Sequence, residues 1–289
     1  MTEAVLVTGA TGFIGSHLVR QLCRQGRRVH AHSRQHGDIA TCRLEFDDVG
    51  HVFHLAGVSF VPDSWESPRA FYDANVLGTV NVLEFCRRRQ VPLTFVSSYV
   101  YGNPRCLPIR EDHPLEAVNP YAHTKILGED IVRSFEAWFG VRAAIVRPFN
   151  VYGPGQSERF LIPTIIRQAL DPACDRIVVR DVRPRRDYIH VRDLVSLLIA
   201  TSTRPNGGVY NAGTGRSVAI PELVAEINGL LAAPKPLQWI DEARRDEVLD
   251  VRADVTRARD ELGWEPHIGL PEGLRETVQW MQDAAHEPC

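Results

Sequence analysis

The chain has 289 residues, 44% of them hydrophobic, enough for one large domain or two small ones around a sizeable core. A formal charge of −3 leaves no electrostatic footprint for nucleic acid, and no apolar run approaches membrane-spanning length. The six cysteines and eleven histidines show no metal-type or redox-type spacing, and the first residues enter a strand rather than a signal peptide; reduced thiols, no metal and a cytoplasmic location are expected.

In chain order, the apolar run Ala4-Val5-Leu6-Val7-Thr8 leads into Gly9-Ala10-Thr11-Gly12-Phe13-Ile14-Gly15 and then a helical stretch over 16–24. A strand, a glycine-rich turn and a helix together set a pyrophosphate on a helix N-terminus. Gly9 allows the tight turn, Gly12 lets backbone approach the phosphates, and Gly15 lets helix and strand pack. The spacing is one residue longer than the usual dinucleotide fingerprint. Further strand-like runs fall at 28–32, 51–56, 93–97 and 142–147, alternating with helical stretches. This predicts an α/β, Rossmann-type, doubly wound parallel sheet over 1–149.

The second strand ends in His32-Ser33-Arg34, where an acidic residue would bind the adenosine ribose hydroxyls; a small residue plus arginine instead accommodates a 2'-phosphate. NADP(H) is therefore favoured, with NAD(H) the alternative. From Arg34 to His51 there is hardly room for a helix and a third strand, so this crossover must be abbreviated. A helix over 66–90 carries Phe71, Ala74, Leu77 and Phe85 as core, and Asn75 to orient the site.

Only two lysines occur, Lys125 and Lys235, and the first stands four places after Tyr121. With so few lysines a chance Tyr-x-x-x-Lys is expected only about 0.05 times. Asn119 can cap a helix, Pro120 suits its first turn and Gly140 can close it, so Tyr121 and Lys125 share one face. A phenol working near neutral pH needs about three pKa units of lowering from its usual value of about 10. An ammonium at about 4 Å supplies an interaction of that order at an effective dielectric near 20. After Asn150, Pro and Gly become frequent at 153–155, 163, 172 and 184. A smaller substrate-binding lobe is predicted over 150–189 and 213–289, the chain returning to the sheet over 190–212.

With these residues in place, the chain resembles the extended short-chain dehydrogenases/reductases, in particular the NAD(P)-dependent epimerase/dehydratase family acting on nucleotide sugars. The resemblance rests on TGATGFIG (8–15), HLAG (54–57), NVLGTVN (75–81), VSSYVYG (96–102), YAHTK (121–125), RPFNVYGPG (147–155), RRDYIHVRD (185–193) and NAGTG (211–215). It implies catalysis by Ser97, Tyr121 and Lys125, with Ser97 taken as the residue three before Val100. It implies coenzyme contacts from Gly9, Gly12, Phe13, Ile14 and Gly15, from Ser33 and Arg34, and from Leu55, Ala56, Gly57, Asn75 and Pro148, besides Tyr121 and Lys125. Asp38-Ile39 resembles the adenine-contacting pair, with Asp47 as the alternative carboxylate. For the substrate it implies Ser97, Ser98, Asn150, Arg186 and Arg244, with Arg245 able to replace Arg244.

Dehydratases of the family carry an acid pair where this chain has Ser98 and Tyr99, so 4,6-dehydration is not expected. The resemblance implies a nucleoside-diphosphate-sugar substrate and NADPH-dependent reduction of a 4-keto-6-deoxyhexose at C4. A 4-epimerase with tightly bound NAD and a non-enzymatic NADP-sensing regulator are the alternatives. Apolar Ile126, Phe135, Trp138 and Phe139 on more than one side of the Tyr121 helix point to a homodimer through a four-helix contact.

Overall fold

The computed structural model describes residues 3–203, 207–242 and 247–286. The first half runs β1 (Ala4–Thr8), α1 (Phe13–Arg24), β2 (Val29–His32), β3 (Val49–His54), α2 (Val61–Glu66), α3 (Pro68–Tyr72), α4 (Gly78–Arg89), β4 (Leu93–Val96), α5 (Pro120–Phe139) and β5 (Ala143–Pro148). Then come β6 (Asn150–Tyr152), α6 (Leu161–Leu170), β7 (Ile177–Val179), β8 (Arg185–His190), α7 (Val191–Thr201), β9 (Gly208–Ala212), β10 (Ser217–Ala219), α8 (Ile220–Asn228), β11 (Leu237–Trp239), α9 (Thr256–Leu262) and α10 (Leu270–His286).

Six parallel strands form the main sheet in the order β2-β1-β3-β4-β5-β9. Side chains alternate across it: Val5 and Val7 pack with Leu18 and Leu22 of α1 and Leu194 and Leu198 of α7, whereas Leu6 packs with Val82 and Leu83 of α4 and Val132 of α5. Both faces are thus covered, which is why the strands read as continuous apolar runs. The order reverses between β1 and β3, and in such sheets ligands bind outside the carboxyl ends of the strands at that point.

The crossover after β2 holds one 3₁₀ turn, Arg34–His36, and no strand, so β2 is the sheet edge. Ile39 and Leu44 plug the core there, and Asn81 Nδ2 ties the loop down by donating to the carbonyls of Ile39 and Cys42 at 2.8 Å each. The stretch read as one helix over 66–90 is interrupted by a π turn, Asp73–Leu77, at Asn75. Such turns often mark functional positions.

The lobe contains a three-stranded sheet, β10-β8-β6, and a two-stranded one, β11-β7, packed with α6, α8 and α10 around Ile165, Ile166, Leu223, Ile227 and Leu274. One part of 213–289 sits elsewhere than the sequence suggests. Ala258 of α9 and Trp264 pack into the core beneath α1 and α7, where the Trp264 indole donates to Ser196 Oγ at 2.8 Å and to the Asp193 carbonyl at 3.2 Å. Buried Asp187 on β8 joins the pieces. Its carboxylate accepts from Thr214 N and Oγ1 (2.7 Å each), Gly215 N (3.0 Å) and Ala253 N (3.0 Å).

Candidate active site

The glycine turn has the shape a dinucleotide needs. Gly9 has φ of 70°, and a Cβ there would lie 2.7 Å from Ala56 N; a Cβ on Gly15 would lie 2.1 Å from the Gly9 carbonyl oxygen. The first turn of α1 is therefore pressed against the strand end, and the helix begins at Phe13 rather than at 16. Ile14 packs against the core beside Leu55, and Pro148 closes β5 next to Ala212. Gly9, Gly12, Phe13, Ile14, Gly15, Leu55, Ala56, Gly57 and Pro148 thus gather at the carboxyl edge of the sheet. These residues fit a dinucleotide.

A directional hydrogen-bond chain lies under that edge. Ala56 N donates to Thr8 Oγ1 (3.2 Å), which lies 2.8 Å from His54 Nδ1; His54 Nε2 lies 3.1 Å from Thr79 Oγ1, which donates to the Asn75 carbonyl (2.6 Å). Because Thr79 spends its proton on that carbonyl, His54 donates from Nε2 and accepts at Nδ1. Asn75 clamps Val58, accepting its N–H (2.8 Å) and donating to its carbonyl (3.0 Å), and donates to Thr124 Oγ1 (2.9 Å) on the helix of Tyr121. Asn75 therefore couples the glycine turn to α5.

At the end of β2, Ser33 is buried and committed to a turn. Its N–H donates to His36 Nδ1 at 3.2 Å, its Oγ lies 3.2 Å from the same nitrogen, and His36 N closes the turn on the Ser33 carbonyl at 2.9 Å. Arg34 is exposed at the tip of that turn. Asp38 caps its own loop through Ala40 N (2.9 Å), next to buried Ile39. Asp47 pairs with Arg89 at the amino edge of β3, the opposite edge from the glycine turn, and is out of reach of adenine.

Tyr121 and Lys125 lie in the first two turns of α5, whose Asn119 cap accepts Ala122 N at 2.8 Å. Their charges differ from the expectation. Burial drives the Tyr121 phenol up to about 12, opposed by a hydrogen bond with the Ser98 side chain. The Lys125 ammonium donates to the Val96 carbonyl at 2.9 Å over the Phe95 ring, and burial lowers it to about 8. The ammonium is bound at the strand end and does not depress the phenol.

The serine assignment also changes. Ser97 is 4% exposed, and its hydroxyl donates to Glu129 Oε1 at 2.6 Å, away from Tyr121. Ser98, half-buried, is the serine at the phenol. Val100 N turns back onto the Ser98 carbonyl (2.9 Å) and shortens the loop between β4 and Val100. Glu129 is itself a buried hub, accepting Arg147 Nε at 2.9 Å and Arg147 Nη2 and Arg133 Nη2 at 2.7 Å each. Arg147 Nη1 continues to Tyr101 Oη (3.0 Å), which donates to Asn211 Oδ1 (2.5 Å). Charged residues inside the apolar runs at 129 and 147 were the available signal for this brace, as His54 was for the chain above.

On the lobe side, Asn150 Nδ2 donates to the Asp187 carbonyl at 3.2 Å while its Oδ1 accepts Tyr99 Oη at 3.2 Å. The Tyr99 ring stacks on Phe149 at 5.2 Å and 19°, so an uncharged aromatic wall stands where a dehydratase would hold carboxylates. Arg186 is not free: it pairs with Glu247 and donates to the Val248 carbonyl at 2.6 Å. Arg244 and Arg245 lie outside the described residues. Among the described residues no three His, Cys, Asp or Glu side chains gather as a metal would need, and no helix is long and apolar enough to cross a membrane.

Comparison with known proteins bears on this geometry. The profile of the NAD dependent epimerase/dehydratase family matches residues 5–213. A putative UDP-glucose 4-epimerase of Methanocaldococcus jannaschii is 32% identical, the match covering 96% of this chain and 98% of the relative. GDP-6-deoxy-D-mannose reductase of Pseudomonas aeruginosa is 31% identical over 99% of this chain and 100% of the relative. The solved structure of MoeE5 in complex with UDP-glucose and NAD superposes with a TM-score of 0.91 at 32% identity, covering 98% of this chain and 99% of that one.

Proposed function

The chain belongs to the NAD dependent epimerase/dehydratase family of extended short-chain dehydrogenases/reductases, and from that premise we propose that it reduces the C4 carbonyl of a nucleoside-diphosphate 4-keto-6-deoxyhexose, using NADPH. What supports the reading is the wall beside Tyr121 and Ser98: Tyr99, stacked on Phe149 and bonded to Asn150, stands where a dehydratase would need a carboxylate. Ketone reduction consumes a proton at the carbonyl oxygen, which the Tyr121 hydroxyl would supply. The family's relatives are enzymes, so the regulator reading is dropped.

NADPH, when bound, supplies the hydride. The glycine turn would hold its pyrophosphate, Arg34 its 2'-phosphate, and Tyr121 and Lys125 the nicotinamide ribose. Ser98 donates to the sugar oxygen, Tyr121 gives the proton to that oxygen, and Ser97 acts only through Glu129. Tyr99 and Asn150 form the wall against which the sugar ring lies. Arg186 would take the diphosphate once Glu247 yields to it, with Arg244 or Arg245 the candidate for a second arginine. The exposed Trp138 and Phe139 at the end of α5 suit a homodimer contact.

Epimerisation at C4 with retained NAD is the second reading, favoured by the likeness to the UDP-glucose 4-epimerase and to MoeE5 with NAD. Identifying whatever dinucleotide accompanies the purified protein separates the two: retained NAD favours epimerisation, and a site that fills only on adding NADPH favours reduction. Tyr121→Phe tests the relay common to both. Turnover should fall by about two or more orders of magnitude with coenzyme binding largely intact. Near-normal turnover in that variant would refute the assignment.

A further inference from the structure

We propose that residues 153–160 form a clasp over the coenzyme groove, locked by Arg159, Asp63 and Phe60, and that its opening sets how fast coenzyme is taken up and released. The inference rests on the coenzyme site described above.

The segment leaves β6 through Gly153 and Gly155, with φ of 145° and 86°, conformations that leave two glycine pivots at one end. Beyond them the segment is tied partly to itself and partly to Val151 of β6 and Thr164 of α6. Gln156 N and Nε2 donate to the carbonyls of Gly153 (3.2 Å) and Val151 (2.7 Å), Phe160 N donates to that of Ser157 (3.1 Å), and Thr164 Oγ1 to that of Glu158 (2.7 Å). The segment is thus braced on the lobe by β6 and α6, and its hold on the dinucleotide domain comes from the contacts it makes there. It meets the dinucleotide domain at two places: His17 Nε2, one turn beyond the glycine turn on α1, donates to the Pro154 carbonyl at 2.8 Å. At the other end the Arg159 guanidinium grips both Asp63 carboxylate oxygens, at 2.6 and 2.9 Å, while lying 3.8 Å over the Phe60 ring. Phe160 meets the same ring edge-on at 5.5 Å.

Phe60 and Asp63 follow directly on the turn at Leu55, Ala56 and Gly57. The strap thus runs from the pyrophosphate helix to α2 across the carboxyl edge of the sheet, where the coenzyme would lie. A lone exposed ion pair contributes little, but a bidentate pair stacked on an aromatic face contributes more. The Arg159 hydrogen bonds also hold Asp63 below the usual carboxylate range, so the lock stays charged around neutral pH.

Every locking contact is between atoms of the chain itself. Breaking the lock therefore speeds uptake and release together and leaves affinity unchanged, whereas loss of a direct coenzyme contact changes affinity. Stopped-flow fluorescence of NADPH and NADH, binding and displacement, on wild type, Asp63→Ala, Arg159→Ala and the double variant reads this directly. Each single variant should raise both rates by about 5- to 10-fold, the double variant should be no faster than either, and Kd should stay within about twofold. Melting temperatures near wild type confirm that the variants fold. Unchanged rates, a change confined to release, or rates that multiply in the double variant would overturn the clasp. Failure of the wild type to bind either coenzyme would overturn the coenzyme reading itself and the clasp with it.

Discussion

Exchanging the two adjacent serines for alanine separates bracing from catalysis. Ser97→Ala deletes one of four hydrogen bonds reaching Glu129, the other three coming from Arg147 and Arg133. A hydrogen bond to a charged group is worth about 1.5–3 kcal/mol, and with the carboxylate still well paired the low end applies, about 1.5 kcal/mol. For a chain of this size that lowers Tm by about 2–3 °C. Turnover should stay within about tenfold of wild type, since Ser97 acts only by placing the loop. Ser98→Ala removes no buried brace and should melt near wild type. It deletes the donor at the reacting oxygen, the kind of loss that costs about 2.7–4 kcal/mol, or about 10²–10³ in kcat. Thermal melts and steady-state kinetics on the two variants decide it. The reverse pattern, with Ser97→Ala inactive at unchanged Tm and Ser98→Ala active, would show that Ser97 is the catalytic hydroxyl.

Acid should unfold the protein through its buried histidines: His51 and His54 are held neutral, burial lowering each from 6.5 to about 3. The unfolded chain then binds more protons below pH 6.5, so stability falls as pH drops from there towards about 3, by about 2 kcal/mol per histidine at pH 5. Burial lowers His190 as well, to about 4, so urea midpoints from pH 7 to 5 should show the loss and His51→Gln should remove about a third of it or less; equal pH slopes in the two proteins would contradict it. Activity should decline as pH rises through about 8, where Lys125 loses its charge, and a kcat profile flat to pH 10 would count against that role. Arg34→Ala should weaken NADP(H) by about 1.5–3 kcal/mol in parallel titrations and spare NAD(H). Ser33→Asp keeps a side chain able to bond His36 but adds charge, and should shift preference towards NAD; wild type binding NAD at least as tightly as NADP would defeat both statements.

The parts of this protein legible in its sequence are those set by local periodicity. The glycine turn, the strands flanking it and the Asn119-Pro120 start of the Tyr121 helix depend on residues within a few positions of one another. The short crossover after Arg34 was legible from length alone. What escaped was set by tertiary packing. Counting back from Val100 assumes a fixed loop length, and neither the turn of Val100 N onto the Ser98 carbonyl nor the Ser97–Glu129 bond, 32 positions apart, is legible in that count. The direction of the Lys125 ammonium depends on a strand carbonyl 29 positions away, and the occupation of Arg186 on a glutamate 61 positions away. Asp38 and Asp47 were equivalent in sequence, and only the strand polarity places them at opposite edges of the sheet. Trp264 reads as lobe by position yet packs under α7, because the pattern around it is too short to declare a partner.

Following hydride and coenzyme in one reaction tests the central proposal most directly. A nucleoside-diphosphate 4-keto-6-deoxyhexose should be incubated with the protein and 4-deuterated NADPH, and coenzyme oxidation and sugar labelling measured together. The reductase account predicts one equivalent of NADPH oxidised per sugar converted, with deuterium at C4, and dependence of the rate on added coenzyme. No net NADPH oxidation, together with equilibration of C4 epimers of a nucleotide hexose by protein that retains NAD, would contradict it.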